Sequence, residues 1–429
     1  MSEPIVRVGM LGCGTVGAAV VHTLHEHADD IAARVGVRIE VVKVAVRDLD
    51  RDRGVPLAAD AFTTDGVRIV DDPGIDVVVE VLGGIEPAKQ LLLRSIANGK
   101  RIVTANKELL ANEGRELFDA ADAAGLDLLF EAAVAGGIPL IRPLKEALAG
   151  DRVVRLLGIV NGTTNYVLTQ MSEHGWGFGE ALAEAQRLGY AEADPTADVE
   201  GFDAAAKCAI LASIAFNTRV VAGDVYREGI AGVTAQDIAD AARLGYVVKL
   251  LAIAELVDGQ ISAQVHPAMI PAAHPLASVR DAFNAVFVEA EKVGQLMFYG
   301  RGAGGDPTAT SVVGDLIQAA RHVAFGGRAV GCTCVLERPL RPMAETIGQF
   351  YLNLHVEDRP GALAEIATRF GEHGVSIERV WQEGFGEEAT LVFITHRARE
   401  GDFQATLERL RTMDVVRSVA SILRVEGEE

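Results

Sequence analysis

The strongest chemical signal in this sequence is a lysine that follows an aspartate by four residues, at the mouth of an otherwise apolar run. Gly189-Tyr190-Ala191-Glu192-Ala193-Asp194-Pro195-Thr196-Ala197-Asp198-Val199-Glu200-Gly201-Phe202-Asp203-Ala204-Ala205-Ala206-Lys207 is dense in carboxylates and ends with Asp203 and Lys207. On one helix that i,i+4 pair shares a face. The residues that follow, Cys208-Ala209-Ile210-Leu211-Ala212, are almost all apolar, so the helix is expected to be buried and its charged pair costly unless it is used. A buried lysine can exchange a proton with an alcohol or carbonyl oxygen. The plainer alternative is an ordinary surface ion pair. A second lysine, Lys107, closes Thr104-Ala105-Asn106-Lys107 just after a strand-like run, at the sheet edge where open α/β domains bind ligands. If it merely began a helix, its charge would oppose the helix dipole.

A third signal is Gly12-Cys13-Gly14-Thr15-Val16-Gly17, between a strand-like run and a helical one. The first glycine permits the tight turn, the second lets backbone approach a pyrophosphate, and the third lets helix and strand pack closely. Backbone N–H groups of Gly12, Gly14, Thr15, Val16 and Gly17 at a helix start are then available to an anion. Cofactor preference is read after the second strand, where Val44-Ala45-Val46 runs into Arg47 and Asp48. Arg47 favours a 2′-phosphate, hence NADP, while Asp48 keeps NAD open; the plainer reading of Arg47 is a solvated strand-end charge.

These residues need a scaffold, and the hydrophobic pattern supplies one. Ile5–Leu11, Val37–Val46, Ile75–Val81, Arg101–Thr104 and Leu126–Phe130 read as strands, separated by helical stretches at Val16–Arg34, Pro87–Ala97 and Glu108–Ala124. That alternation predicts a doubly wound parallel sheet of the Rossmann kind over residues 1–137. Residues 138–325 are expected to form an α+β catalytic and dimerisation domain, with helices at Leu140–Leu148, Gly179–Leu188, Phe202–Phe216 and Ala309–Val323 and strands at Val153–Val160, Gln260–Val265 and Ala285–Val288. The turn Gly300-Arg301-Gly302-Ala303-Gly304-Gly305 is expected to bring the chain back toward a ligand. Residues 326–348 read as a linker, and 349–429 as a ferredoxin-like β-α-β-β-α-β domain: Phe350–Val356, Ala362–His373, Ser376–Gln382, Thr390–Thr395, Phe403–Thr412 and Val415–Arg424. The overall class is therefore α/β.

Composition narrows the partners. With 429 residues, an ordinary charged fraction and a formal charge of −20, the chain is a packed multidomain protein that repels nucleic acid and anionic membranes, so neither is an expected partner. No apolar run reaches the ~18 residues that cross a bilayer, and the run from Ile5 is broken by Arg7 and Gly9, unlike a signal peptide. Four cysteines at uneven spacing suit a reducing cytoplasm rather than a disulfide framework. Cys332-Thr333-Cys334 lacks a second ligand pair at zinc-like spacing and reads as two free thiols. His22, His25 and His27 read as a solvated helix face.

The motifs at Gly12–Gly17, Thr104–Lys107, 131–139 (Glu-Ala-Ala-Val-Ala-Gly-Gly-Ile-Pro), 158–166 (Gly-Ile-Val-Asn-Gly-Thr-Thr-Asn-Tyr) and Gly189–Lys207 resemble those of the homoserine dehydrogenases, in the monofunctional form that carries a C-terminal ACT domain. The resemblance implies interconversion of L-aspartate 4-semialdehyde and L-homoserine with NAD(P)H, in threonine, methionine and isoleucine biosynthesis. It further implies that Lys207 gives the proton to the aldehyde oxygen and that Asp203 supports it. Glu192 would hold the substrate amino group, with Asp198 in the same substrate-binding segment, and Lys107 would lie beside cofactor and substrate. It maps cofactor contacts onto Thr104 and the Gly302 turn, where Arg301 replaces a common proline, and a sodium site of largely backbone oxygens onto Glu131, Val134, Gly136 and Ile138. A Gly- and Pro-containing turn exposes carbonyls to a hard cation, although a plain interdomain turn looks the same. Asp358-Arg359-Pro360-Gly361-Ala362-Leu363 matches the ACT pattern and implies L-threonine as allosteric ligand and a homodimer or homotetramer.

Two other readings remain. One is a different semialdehyde or amino-acid dehydrogenase on the same plan, and the other a dinucleotide sensor whose ACT domain does the work. The presence of Lys107, Asp203 and Lys207 argues against a catalytically dead chain, and a glycine motif so near Met1 argues against an aspartokinase fusion.

Overall fold

In the computed structural model, which describes residues 3–384 and 388–427, six parallel strands form the first sheet. They are β1 (Ile5–Leu11), β2 (Arg38–Ala45), β3 (Phe62–Thr63), β4 (Val77–Glu80), β5 (Arg101–Thr104) and β6 (Leu128–Leu129), in the order β3-β2-β1-β4-β5-β6. Side chains alternate across each strand, so successive residues enter opposite cores. Val77 and Val79 join the cluster under helix Thr15–Glu26, and Val78 joins the one under helices Ala88–Ala97 and Lys107–Ala124. Both faces are thus covered, as a parallel sheet requires.

The chain packs as two units, each discontinuous. One takes in the residues up to Leu156, Ala206–Val225 and Asn284–Glu337; the other takes in Leu157–Ala205, Tyr226–Phe283 and the chain from Arg338 onward. In the first unit the long helix Gly305–Phe325 lays Ala309, Val312, Leu316 and Ala319 into the same core as Val8, Val20 and Val79. In the second, strands Tyr246–Val257, Gln260–Pro271, Val416–Val425, Ile347–Glu357, Glu388–Thr395 and Ile377–Glu383 neighbour one another in that order. The last four are antiparallel, with helices Ala362–Glu372 and Glu400–Arg411 supplying Ile366, Phe370, Phe403 and Leu407 to their core. Their order is that of a ferredoxin-like ACT fold.

Several elements differ from the sequence expectation. The helix expected at Val16–Arg34 is two, Thr15–Glu26 and Ala28–Val35, broken at His27, and Asp29 and Asp30 complement the dipole of the second. The expected helix Leu140–Leu148 narrows to a wide turn at Pro143–Ala147, closed by the Leu148 N–H on the Pro143 carbonyl. Helices Gly162–His174 and Ala235–Arg243 and strands Tyr246–Val257 and Gly294–Arg301 had not been anticipated. No helix among the described residues is long and apolar enough to cross a membrane.

Candidate active site

The glycine loop is built around two close approaches and one opening. A Cβ on Gly12 would lie 2.8 Å from the Val81 carbonyl oxygen, and one on Gly17 would lie 2.7 Å from the Gly12 carbonyl oxygen, so neither position admits a side chain. Gly12 also sits at φ +106°, a conformation natural only to glycine. Gly14 meets nothing within 4 Å and is exposed, and as N-cap of helix Thr15–Glu26 it offers no side chain to the first amides. An uncapped helix start with free approach is what a pyrophosphate needs, so the loop fits a dinucleotide.

Arg47 is exposed just past the end of β2, beside the exposed Asp48. Sequence reasoning overlooked two neighbours. The charges of Arg53 and Arg51 act on Cys13, partly offsetting the burial that pushes its thiol upward, so both guanidinium groups stand near the loop. Arg53 is held there by the carbonyls of Asp48 and Arg51, at 2.7 Å each. The signal was the spacing Arg47, Arg51, Arg53 itself.

Thr104 and Lys107 are set by a carboxylate the sequence did not single out. Glu80, at the end of β4, is fully buried, and burial raises its pKa against the pull of its hydrogen bonds. It accepts the Thr104 hydroxyl (2.6 Å) and the amides of Leu82 (2.8 Å) and Gly83 (3.2 Å). Asn106 caps the next helix by accepting from Leu109 N (3.1 Å), while its amide nitrogen donates to the Gly84 carbonyl (2.6 Å). Lys107 is therefore the first residue of that helix and half-buried, with its backbone fixed from both sides. A cation at a helix start gains nothing from the dipole, so folding alone does not account for it.

The segment around Glu131 is a second buried carboxylate clamp. Glu131 accepts the amides of Leu140 (2.5 Å), Ile141 (2.6 Å) and Arg142 (2.9 Å), and its own N–H donates to Asp315 (2.8 Å). Its side chain is thus engaged with backbone, and what it could offer a cation is its carbonyl. Ala135 (φ +57°) and Gly136 (φ +47°) are consecutive left-handed residues between Val134 and Ile138. The Gly136 carbonyl accepts the Ser311 hydroxyl (2.7 Å). The Gly300–Gly305 turn is packed onto this one: Gly137 N donates to the Arg301 carbonyl (3.1 Å), and a Cβ on Gly136 would lie 2.4 Å from the Gly302 carbonyl oxygen. Gly302 is itself pressed on Asn284, and Gly305 lies against Thr15 of the glycine loop. The late glycine turn therefore spans from the 134–138 turn to the nucleotide loop. No group of three or more His, Cys, Asp or Glu suited to a metal occurs among the described residues, so a cation here would rest on carbonyl oxygens, and a buried turn of left-handed residues suits a hard ion.

In the second unit, Asn161 ties the carboxylates together. Its amide nitrogen donates to Asp198 (2.7 Å) and to Asp203 (2.9 Å), while its oxygen caps helix Gly162–His174 by accepting from Thr164 N (2.9 Å). Thr163 holds the Tyr190 carbonyl (2.6 Å), and Gln186 holds that of Glu192 (3.0 Å), leaving the Glu192 side chain exposed. Asn165 donates to the carbonyls of Asp281 and Phe283 and accepts from the buried Lys249 (3.0 Å), whose pKa burial lowers to about 8. Within the motif 158–166, Asn161 thus serves the acidic segment and Asn165 the fold. Helix Phe202–Ala215 carries Asp203 half-buried and Lys207 only 9 % exposed, with Ala204, Ala205, Ala206, Cys208 and Ala209 buried beside it. A buried ammonium can stabilise negative charge on an oxygen and supply it a proton.

Comparison with known proteins shows which family the chain belongs to. Residues 139–317 match the homoserine dehydrogenase family, residues 12–131 the homoserine dehydrogenase NAD-binding domain, and residues 350–414 the ACT domain. The homoserine dehydrogenase of Corynebacterium glutamicum is 49 % identical over 427 residues, 98 % of this chain and 96 % of that protein. The chain belongs to the homoserine dehydrogenase family. Accordingly, it is an NAD(P)-dependent oxidoreductase acting on a CH–OH group. The crystal structure of a homoserine dehydrogenase from Thiobacillus denitrificans aligns with a TM-score of 0.94 at 41 % identity, covering 99 % of this chain and 100 % of that one. A hyperthermophilic archaeal homoserine dehydrogenase solved in complex with NADPH aligns over 73 % of this chain and 97 % of its own, with a TM-score of 0.62 at 28 % identity.

Proposed function

We propose that the chain catalyses the reversible reduction of L-aspartate 4-semialdehyde to L-homoserine, with Lys207 as the proton donor. The carrying observation is the burial of Lys207 among alanines on the helix that also bears Asp203. The nicotinamide, when bound, supplies the hydride. The chain's part is to hold the aldehyde and to manage the charge on its oxygen. Lys207 stabilises the developing alkoxide and then protonates it, Asp203 orients Lys207, and Glu192 and Asp198 bind the amino-acid end of the substrate. Lys107 stands between substrate and cofactor. Gly12, Gly14, Thr15, Val16 and Gly17 hold the pyrophosphate, with Gly302 closing on it. The Thr104 hydroxyl is taken by Glu80, so Thr104 acts on the cofactor by positioning the loop that ends at Lys107. Arg47, supported by Arg51 and Arg53, favours NADP over NAD.

On this reading residues 1–137 bind the dinucleotide, 138–325 bind substrate and dimerise, 326–348 link, and 349–429 sense L-threonine as feedback inhibitor of a cytoplasmic homodimer or homotetramer. Backbone carbonyls of Glu131, Val134, Gly136 and Ile138 hold Na⁺, which replacement of sodium by a bulky organic cation would test through lost thermal stability. The reaction itself is tested by homoserine oxidation with NADP⁺ and NAD⁺. Lys207→Met should lower kcat by ~10²–10⁴-fold, while nucleotide affinity followed by fluorescence stays unchanged. Near-normal turnover in Lys207→Met with collapse in Lys107→Met would reverse the two lysine roles.

A further inference from the structure

Outside the dehydrogenase site, the Cys332-Thr333-Cys334 segment brings two free, half-buried thiols together in the first unit. Residues 327–335 form neither helix nor strand, and they carry the two thiols two residues apart. The Arg219 guanidinium lies 3.8 Å from the Cys332 sulfur, and the Cys332 N–H is fixed by Asp122 (3.0 Å). The Cys334 thiol donates to the Ser213 carbonyl (3.7 Å). Both cysteines are half-buried in a cleft lined by Phe118, Phe130 and Lys145. Lys145 is anchored there by the Val330 carbonyl (2.9 Å) and stacks over the Phe130 ring at 5.2 Å. The free volume, about 30 Å³, is enough for a molecule of the size of water.

We propose that Cys332 and Cys334 are a peroxide-reactive dithiol that closes to an intramolecular disulfide. The cleft is large enough to admit hydrogen peroxide. Its two cations oppose a metal ion but favour an anionic sulfur, which is the nucleophilic form. The neighbouring Cys334 and the charge of Arg219 hold the Cys332 thiol below the usual thiol range against the pull of burial, whereas Cys334 is pushed up and stays protonated. That division suits an attacking and a resolving cysteine. The Cys332 thiolate attacks one peroxide oxygen, breaking the O–O bond, and gives a sulfenic acid and hydroxide. The Cys334 sulfur then attacks the Cys332 sulfur, its proton leaving with the displaced hydroxyl as water. Two thiols and one peroxide become one disulfide and two waters. Closure removes the thiol donor from Ser213, which sits on the helix that carries Lys207.

The test uses the reduced full-length protein at pH 7 with stoichiometric hydrogen peroxide. Titratable thiols should fall from four to two. The tryptic peptide 329–369, uncut at Arg338, Arg341 and Arg359 because each precedes a proline, holds Cys332 and Cys334 and no other cysteine; it should become lighter by two hydrogens and recover on reduction. Cys334→Ser should trap Cys332 as a sulfenic acid that reacts with dimedone. Cys332→Ser should slow thiol loss on the order of 30-fold, since an ordinary thiol is only a few per cent thiolate at that pH. Oxidation of Cys13 or Cys208 ahead of peptide 329–369, disulfide-linked oligomers as the main product, or an unchanged rate in Cys332→Ser would overturn the proposal.

Discussion

Replacing Asn161 with aspartate exchanges one amide nitrogen for an oxygen and little else. The oxygen that caps helix Gly162–His174 is kept, and aspartate is as good an N-cap as asparagine. What disappears is the donor held between Asp198 at 2.7 Å and Asp203 at 2.9 Å, so three carboxyl groups would face one another. At such separations and an effective dielectric of ~20, each like-charge contact costs roughly 6 kcal/mol. Taking up a proton is cheaper: holding an ordinary carboxyl protonated costs ~1.4 kcal/mol per pH unit above its pKa of ~3.9, or about 4 kcal/mol at pH 7 and ~1.5 at pH 5. The variant should therefore fold with a shared proton in the cluster. Its folded pKa is raised above the unfolded value, so the added stability is present at low pH and lost as pH rises. Denaturant unfolding of the two proteins at pH 5 and pH 7 should show a destabilisation that grows by ~2–3 kcal/mol between them. Homoserine oxidation by the variant should recover in the same direction. A destabilisation of equal size at both pH values would refute the view that the Asn161 amide separates the two carboxylates.

Arg47→Ala should weaken NADP⁺ binding selectively; equal losses for NAD⁺ and NADP⁺ in fluorescence titrations would mean that Arg47 does not read the 2′ position. His266 is fully buried, and desolvation, aided by the charge of Arg424 and opposed by Glu228, lowers its pKa to about 3. Its contribution to stability is intact above the ordinary pKa near 6.5 and is lost as pH falls toward 3, at ~1.4 kcal/mol per unit. His266→Leu, which also removes a ring nitrogen that lacks a hydrogen-bond partner, should flatten that acid limb, and an unchanged slope in Tm against pH would count against it. Arg424 is held by Glu400 at 2.8 and 3.0 Å and by Glu228 at 2.9 and 3.0 Å, with only 5 % of its side chain exposed. Arg424→Met leaves those carboxylates unpaired and should cost ~3–5 kcal/mol by denaturant midpoint, whereas the Met/Gln/Gln triple variant should regain most of it.

The parts of this molecule that were legible in the sequence are those whose burial follows a simple period. β1 and β5 fall where the pattern places them because each is a short, largely apolar run ending in a turn signal, and the six elements of the ACT domain are recovered because each keeps the period of its strand or helix. Helix Gly162–His174 was invisible because every residue from Thr163 to Met171 is buried, five of the nine are Thr, Asn or Gln, and such a helix has no polar face to mark its period. Strand Tyr246–Val257 is apolar on both faces and does not alternate. Helix Ala235–Arg243, by contrast, announces itself through the Thr234 and Asp237 capping box, a signal that was present and unread. The same division runs through the site. Asp203 and Lys207 are close in sequence, so a helical period suffices to put them on one face, and carboxylates stand out by charge. Asn161 reaches Asp198 and Asp203 across 37 and 42 residues, and Glu80 reaches Thr104 across 24. Only the closed fold brings such partners together, and a neutral amide carries no compositional mark. The charged groups of this site can thus be found by inspection, but what sets their spacing is an uncharged side chain, which makes Asn161 the position where a single-atom change should perturb the acidic cluster most.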